Sequence, residues 1–128
     1  LTLIGGSYLN PIDTANENRN SLPRILEILG GDSNIDNVVL LSGGRGGAGP
    51  QFEALLNTLT EIRRKGKPVV ILMPLSFSFT GGEAEQAGAT ILKFQKVGIP
   101  VFFSFERGAA AMRKALDYYK MKRSLNAE

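Results

Sequence analysis

Apolar residues fall along this chain in two alternating spacings: short unbroken runs, and stripes that recur every three or four positions. The runs lie at Asn37–Ser42, Pro68–Met73 and Pro100–Phe105 and are rich in Val, Ile, Leu and Phe. Unbroken runs of that length predict strands of a parallel sheet covered on both faces, where polar alternation is not needed. Leu1–Ile4 is a candidate fourth strand. The stripes predict helices. Leu22, Ile25, Leu26 and Leu29 share one face, with Asn20 or Ser21 as the cap and Gly30-Gly31 as the stop. Phe52, Leu55, Leu56, Leu59 and Ile62 form the next stripe, ending at Lys65-Gly66. A thinner one holds Ala84, Ala87, Ile91 and Phe94 or Gln95 and ends near Gly98. Met112, Ala115, Leu116 and Tyr119 line a last helix from about Arg107 to Lys122.

Two phrases repeat. Lys65-Gly66-Lys67-Pro68-Val69-Val70 and Lys96-Val97-Gly98-Ile99-Pro100-Val101 each read helix end, glycine, proline, strand. Proline is tolerated at the first position of a strand, where its missing N–H removes no ladder bond. The alternation α-β-α-β-α-β-α implies right-handed crossovers and a parallel sheet with helices on both faces. Three or four strands are few for a complete sheet of this kind, so a βα unit is expected to be missing from the front. Without an initiating methionine, the 128 residues are expected to be one domain of a longer protein.

Composition narrows the chemistry. There is no cysteine and no histidine, which removes disulfides, thiolate chemistry, Cys/His metal sites and a phosphohistidine from this chain. Lys+Arg exceed Asp+Glu by 15 to 12, a modest excess concentrated near predicted helix C-termini, where the helix dipole favours cations. Base-stacking aromatics are not interleaved with these charges, so no nucleic-acid partner is expected. No apolar run approaches the roughly 18 residues of a membrane span, and no signal peptide is visible. A cytoplasmic protein without a membrane partner is the expectation.

Four segments are candidates for function. The first follows the first predicted strand: Gly43, Gly44, Arg45, Gly46 and Gly47, then Ala48-Gly49-Pro50 at a helix start. Glycines allow close backbone approach, and a helix N-terminus favours an anion. The segment lacks the Lys-Ser/Thr ending of a P-loop, and no acidic residue closes the next strand to hold a ribose. It reads as an anion or cofactor cradle, or as a surface loop or domain contact. The second holds Ser76, Ser78, Thr80, Gly81 and Gly82 at the same carboxyl edge of the sheet, with Phe77 and Phe79 offering apolar surface to a partner. The third is the turn Asn10-Pro11-Ile12-Asp13, and the fourth is Ser104-Phe105-Glu106-Arg107, which reads as a helix cap. No general base accompanies Ser104 as a nucleophile. No acidic cluster marks a phospho-receiver.

The order of these segments resembles one family. Asn10-Pro11-Ile12-Asp13, a helix, then Gly31-Asp32-Ser33-Asn34-Ile35-Asp36-Asn37-Val38-Val39-Leu40 looks like the NDP-forming (ADP-forming) acyl-CoA synthetases, relatives of succinyl-CoA synthetase. Gly66-Lys67-Pro68-Val69-Val70, Gly82-Glu83, Gly98-Ile99-Pro100-Val101-Phe102 and the close from Glu106-Arg107 to Tyr118-Tyr119 continue the likeness. The resemblance implies a flavodoxin-like, Rossmann-like three-layer α/β/α subdomain of the ligase-CoA type. It implies that the whole enzyme interconverts acyl-CoA, nucleoside diphosphate and phosphate with acid, CoA and nucleoside triphosphate. The family's phosphate-carrying histidine and nucleotide-binding ATP-grasp fold lie in other domains, so this chain is not expected to be catalytic alone or to hold a cofactor. CoA and ADP/ATP belong to the full-length enzyme, and the CoA-binding and ATP-grasp domains are the implied partners. Two other readings stay open. One is a free-standing small-anion or nucleotide-binding module using Gly43–Gly49; the other is a docking or homo-oligomerising domain without ligand.

Overall fold

The fold was analysed in a computed structural model, which describes residues 7, 9–13, 21–43, 47–74 and 81–125. Seven elements follow in order: α1 (Leu22–Gly31), β1 (Val38–Leu41), α2 (Pro50–Arg64), β2 (Val69–Leu72), α3 (Gly81–Lys96), β3 (Val101–Phe102) and α4 (Phe105–Leu125). The protein is α/β; its described residues form four helices and a three-stranded parallel sheet in the order β1-β2-β3. The candidate strand at Leu1–Ile4 lies outside the described residues.

Contacts within the chain group into two compact units. The first holds the 7–13 turn, α1 and α2. Its helices meet closely, since a Cβ on Gly30 would lie 2.6 Å from Cγ1 of Ile62. Leu26 of α1 and Phe52, Leu56, Leu59 and Ile62 of α2 are buried, the periodic positions that the apolar stripes mark. α1 ends at Gly31, where the Gly30-Gly31 stop is expected, and glycine at 30 also serves the close approach. Asp32 takes the C-cap position, and its Oδ1 accepts from the backbone N–H of Asn34 at 2.8 Å.

The second unit holds the sheet from Val39 onward with α3 and α4. In the sheet, Ser42 N–H donates to Leu72 O at 2.8 Å. Ile71 pairs with Val101 and Leu72 with Phe102 in parallel register. Residues 69–73 are buried without alternation, as a strand flanked on both sides requires. Two expected boundaries move. β3 is only Val101–Phe102, and α4 begins at Phe105 rather than near Arg107. The reason is local: Ser104 Oγ accepts from Arg107 N–H at 3.2 Å and Ser104 O accepts from Gly108 N–H at 3.1 Å, so Ser104 caps a helix where the strand would continue. In α3, Phe94 rather than Gln95 completes the stripe, and Thr90 joins it.

The repeated Gly-Pro phrases are one structural device used twice. Gly66 and Gly98 take φ of 91° and 75°, a conformation that favours glycine. In each case the residue after the glycine closes the last turn: Lys67 N–H donates to Ile62 O at 3.4 Å and Ile99 N–H to Phe94 O at 3.0 Å.

Candidate functional site

Because the strands are parallel, Ser42-Gly43, Met73-Pro74 and Phe103-Ser104 leave the sheet at one carboxyl edge, within the second unit. α3 starts at Gly81, and α4 starts directly after Ser104. Open parallel sheets hold ligands at this edge. Gly43 is exposed, and a Cβ there would meet nothing within 4 Å. Gly81 and Gly82 are likewise exposed with open space around them. Gly44, Arg45 and Gly46, and also Ser76 and Thr80, lie outside the described residues.

Gly47 behaves differently. A Cβ there would overlap the hydroxyl of Thr90, so the backbone at the end of the Gly-rich segment lies directly on α3. Thr90 is 2% exposed, and its Oγ1 donates to Gln86 O at 2.8 Å, which satisfies the buried hydroxyl. Glycine at 47 is therefore explained by close packing. Gly49 is explained by backbone conformation: its φ is 90°, and its carbonyl accepts from both Phe52 and Glu53 N–H at 3.1 Å as α2 begins.

Polar side chains at this edge include Ser42, Ser104, Glu106 and Arg107. The Glu106 carboxyl is held below its usual range by its own backbone N–H and then by the Ser104 hydroxyl, with a small opposing effect of burial. Both bonds favour the ionised form, as does the positive end of α4. Among the described residues no group of His, Cys, Asp and Glu could hold a metal ion. Among the described residues, this edge offers backbone donors, the Ser42 and Ser104 hydroxyls, the Glu106 carboxylate and the Arg107 guanidinium.

The turn residues sit in the first unit. Ser7 and Asp13 exchange backbone hydrogen bonds at 3.0 and 3.1 Å, closing a short loop that carries Asn10 and Pro11 across a cis peptide bond. The same unit contains a cavity of about 430 Å³ that sequence reasoning missed, lined by Glu27 and Gly30 of α1 and by Asn57, Thr58, Glu61, Ile62 and Lys65. Three of its polar groups are engaged locally. Glu27 pairs with Arg24 at 3.0 Å, Glu61 with Arg64 at 2.7 Å, and the Thr58 hydroxyl donates to Ala54 O. The only sequence signal for it is polar residues one turn apart on neighbouring helices, which is also the signature of an ordinary solvated face.

Among the described residues no helix is long and apolar enough to cross a membrane. No protein-family model, curated protein or solved structure matches this chain.

Proposed function

We propose that this chain is a non-catalytic binding and docking domain of an NDP-forming acyl-CoA synthetase. In this reading it is a flavodoxin-like three-layer fold that packs against CoA-binding and ATP-grasp domains in the cytoplasm. The observation that carries it is the order of local structures. A closed Asn-Pro-Ile-Asp turn, α1, an Asp32-centred turn, β1 and two glycine–proline strand entries follow one another at the segments that carry the resemblance, which supports this reading. The described residues of the sheet edge, rich in backbone donors and poor in reactive side chains, support a role in holding a partner or substrate group. The chemistry then takes place on a histidine supplied by another domain.

The test is a titration of the chain with separately produced CoA-binding and ATP-grasp domains of such a synthetase, read by sedimentation velocity. A stable complex is expected, with no shift in melting temperature from CoA, ADP or phosphate added alone at about millimolar concentration. Absence of any complex removes the docking reading. A melting shift from phosphate or ADP alone favours the anion-binding module instead.

A further inference from the structure

We propose that the distal half of α4 is a docking segment for a protein surface that offers an apolar cleft rimmed by carboxylates. α4 has 21 residues, about 31 Å at the rise of an α-helix. The strands beneath it have four residues in β2 and two in β3, at most about 13 Å of sheet. The close approach is at Gly108, where a Cβ would overlap Leu72 and sit 3.7 Å from Cβ of Phe102. Ala111 and Met112 are half-buried, and every residue from 113 to 125 is exposed. The helix therefore overhangs its own sheet. The stripe of Met112, Ala115, Leu116 and Tyr119 is half-buried at its first member and exposed at the rest.

The overhang is not an ordinary solvent face. Leu116 and Tyr119, 48% and 57% exposed, continue the side of the helix that carries Gly108 and Met112. Tyr118, Met121 and Leu125, at 53%, 55% and 66%, form a second stripe that begins beside the first at Tyr118 and turns away from it at Met121. The Tyr118 and Tyr119 rings meet edge to face, with centroids 5.4 Å apart. Paired tyrosines supply the large amphipathic contact area that anchors protein interfaces.

Charge selects the occupant. Residues 113–125 carry five cations, Arg113, Lys114, Lys120, Lys122 and Arg123, against one acid, Asp117, which accepts from Arg113 Nε at 2.9 Å. A second copy of the segment would set like charge against like. A membrane surface calls for one apolar face opposed to one polar face, and here Lys114, Lys122 and Arg123 fall among the apolar positions. A protein cleft with an acidic rim accommodates both stripes and the cations between them. The inference rests on the docking part of the proposed function and not on the ligase family.

The probe is a synthetic amphipathic helix with Leu on one face and Glu along both flanks, compared with its Glu-to-Lys counterpart. Each is titrated calorimetrically into the full chain. The acidic peptide is expected to bind about tenfold tighter than the basic one. Its affinity should fall several-fold between about 50 and about 300 mM salt. L116E/Y119E should abolish the binding, and K120E/K122E should reverse the preference toward the basic peptide. Both variants alter exposed positions, and circular dichroism checks that helicity is retained; should the first fail to fold, the charge reversal decides. Equal affinity for both peptides, or no effect of either variant, overturns the proposal. So does a dimer that L116E/Y119E dissolves, or tighter binding to phosphatidylserine vesicles than to the acidic peptide. If ligase domains bind the chain and its α4 variants equally, this inference fails and the docking reading stands. If the acidic peptide binds as described and the ligase domains do not, the reverse holds.

Discussion

The ammonium of Lys67 donates to the carbonyl oxygen of Leu29 at 2.8 Å, and to that of Asp32 at 2.7 Å, closing the end of α1 from the turn that follows α2. The last carbonyls of a helix have no partner within it and carry partial negative charge, so a cation there satisfies both needs. The equivalent position after α3 is Ile99, which is fully buried. The same turn thus presents an apolar plug in one place and a cationic cap in the other.

Replacing that cation should be measurable. Lys67→Met keeps most of the aliphatic stem and loses both hydrogen bonds, with an expected cost of about 1–2 kcal/mol, reduced from the fully buried case by partial exposure. The measurement is a urea midpoint that falls with an unchanged slope. An unchanged midpoint would show that water replaces the ammonium without loss.

The two adjacent glycines of α1 should respond in opposite directions. A Cβ on Gly30 meets Ile62 Cγ1 at 2.6 Å, so Gly30→Ala must push the helices apart or force Ile62 off its rotamer, at about 1–3 kcal/mol. Gly31 has nothing within 4 Å and a φ compatible with other residues, so Gly31→Ala should be neutral or stabilising by up to about 0.5 kcal/mol. Parallel melting curves of the two variants decide it. Equal gains would mean that helix propensity outweighs contact with Ile62.

Much of this architecture is legible in the sequence, because burial on both faces writes unbroken apolar runs and burial on one face writes stripes. Residues 69–73 and the stripe of Phe52, Leu56, Leu59 and Ile62 are buried where those patterns place them. Legibility ends where a residue has two local uses. Ser104 falls in the apolar run Pro100–Phe105 and also reads as a helix cap; the cap is what forms, so β3 is cut to two residues. Thr90 reads as polar and is buried, because its hydroxyl finds the carbonyl one turn back. The α4 stripe reads as core, yet the sheet ends before Leu116 and Tyr119 reach it. Of the candidate site, Gly47 and Gly49 resolve into packing and backbone conformation, two demands that a glycine-rich segment shares with a ligand loop.

The start of α4 should weaken in acid. The Glu106 carboxyl is held below its usual value of 4.5, first by its own backbone N–H and then by Ser104. A lowered folded value means that this contribution is present above the unfolded value and lost as pH falls through the folded one. The window therefore lies below pH 4.5. Following the Glu106 carboxyl by NMR should give a midpoint below 4.5 in the parent chain and one closer to it in Ser104→Ala. Identical midpoints in the two proteins would remove Ser104 from the account.

Gly47 gives the sharpest separation between packing and binding at the sheet edge. If close approach to α3 is the reason for glycine there, Gly47→Ala should destabilise by about 1–3 kcal/mol, because the new methyl overlaps the Thr90 side chain. Thr90→Ala alone removes a hydroxyl whose partner is its own helix, and should cost about 1 kcal/mol. Combined, the two should cost clearly less than their sum. The alanine at 90 removes Oγ1 and Cγ2, though its Cβ, 2.7 Å from the added methyl, still limits the rescue. A double-mutant cycle on urea midpoints measures the coupling directly. Strict additivity would break the link between the Gly-rich segment and α3. Glycine at 47 would then need another cause, and the approach of a ligand to the backbone would become the leading one.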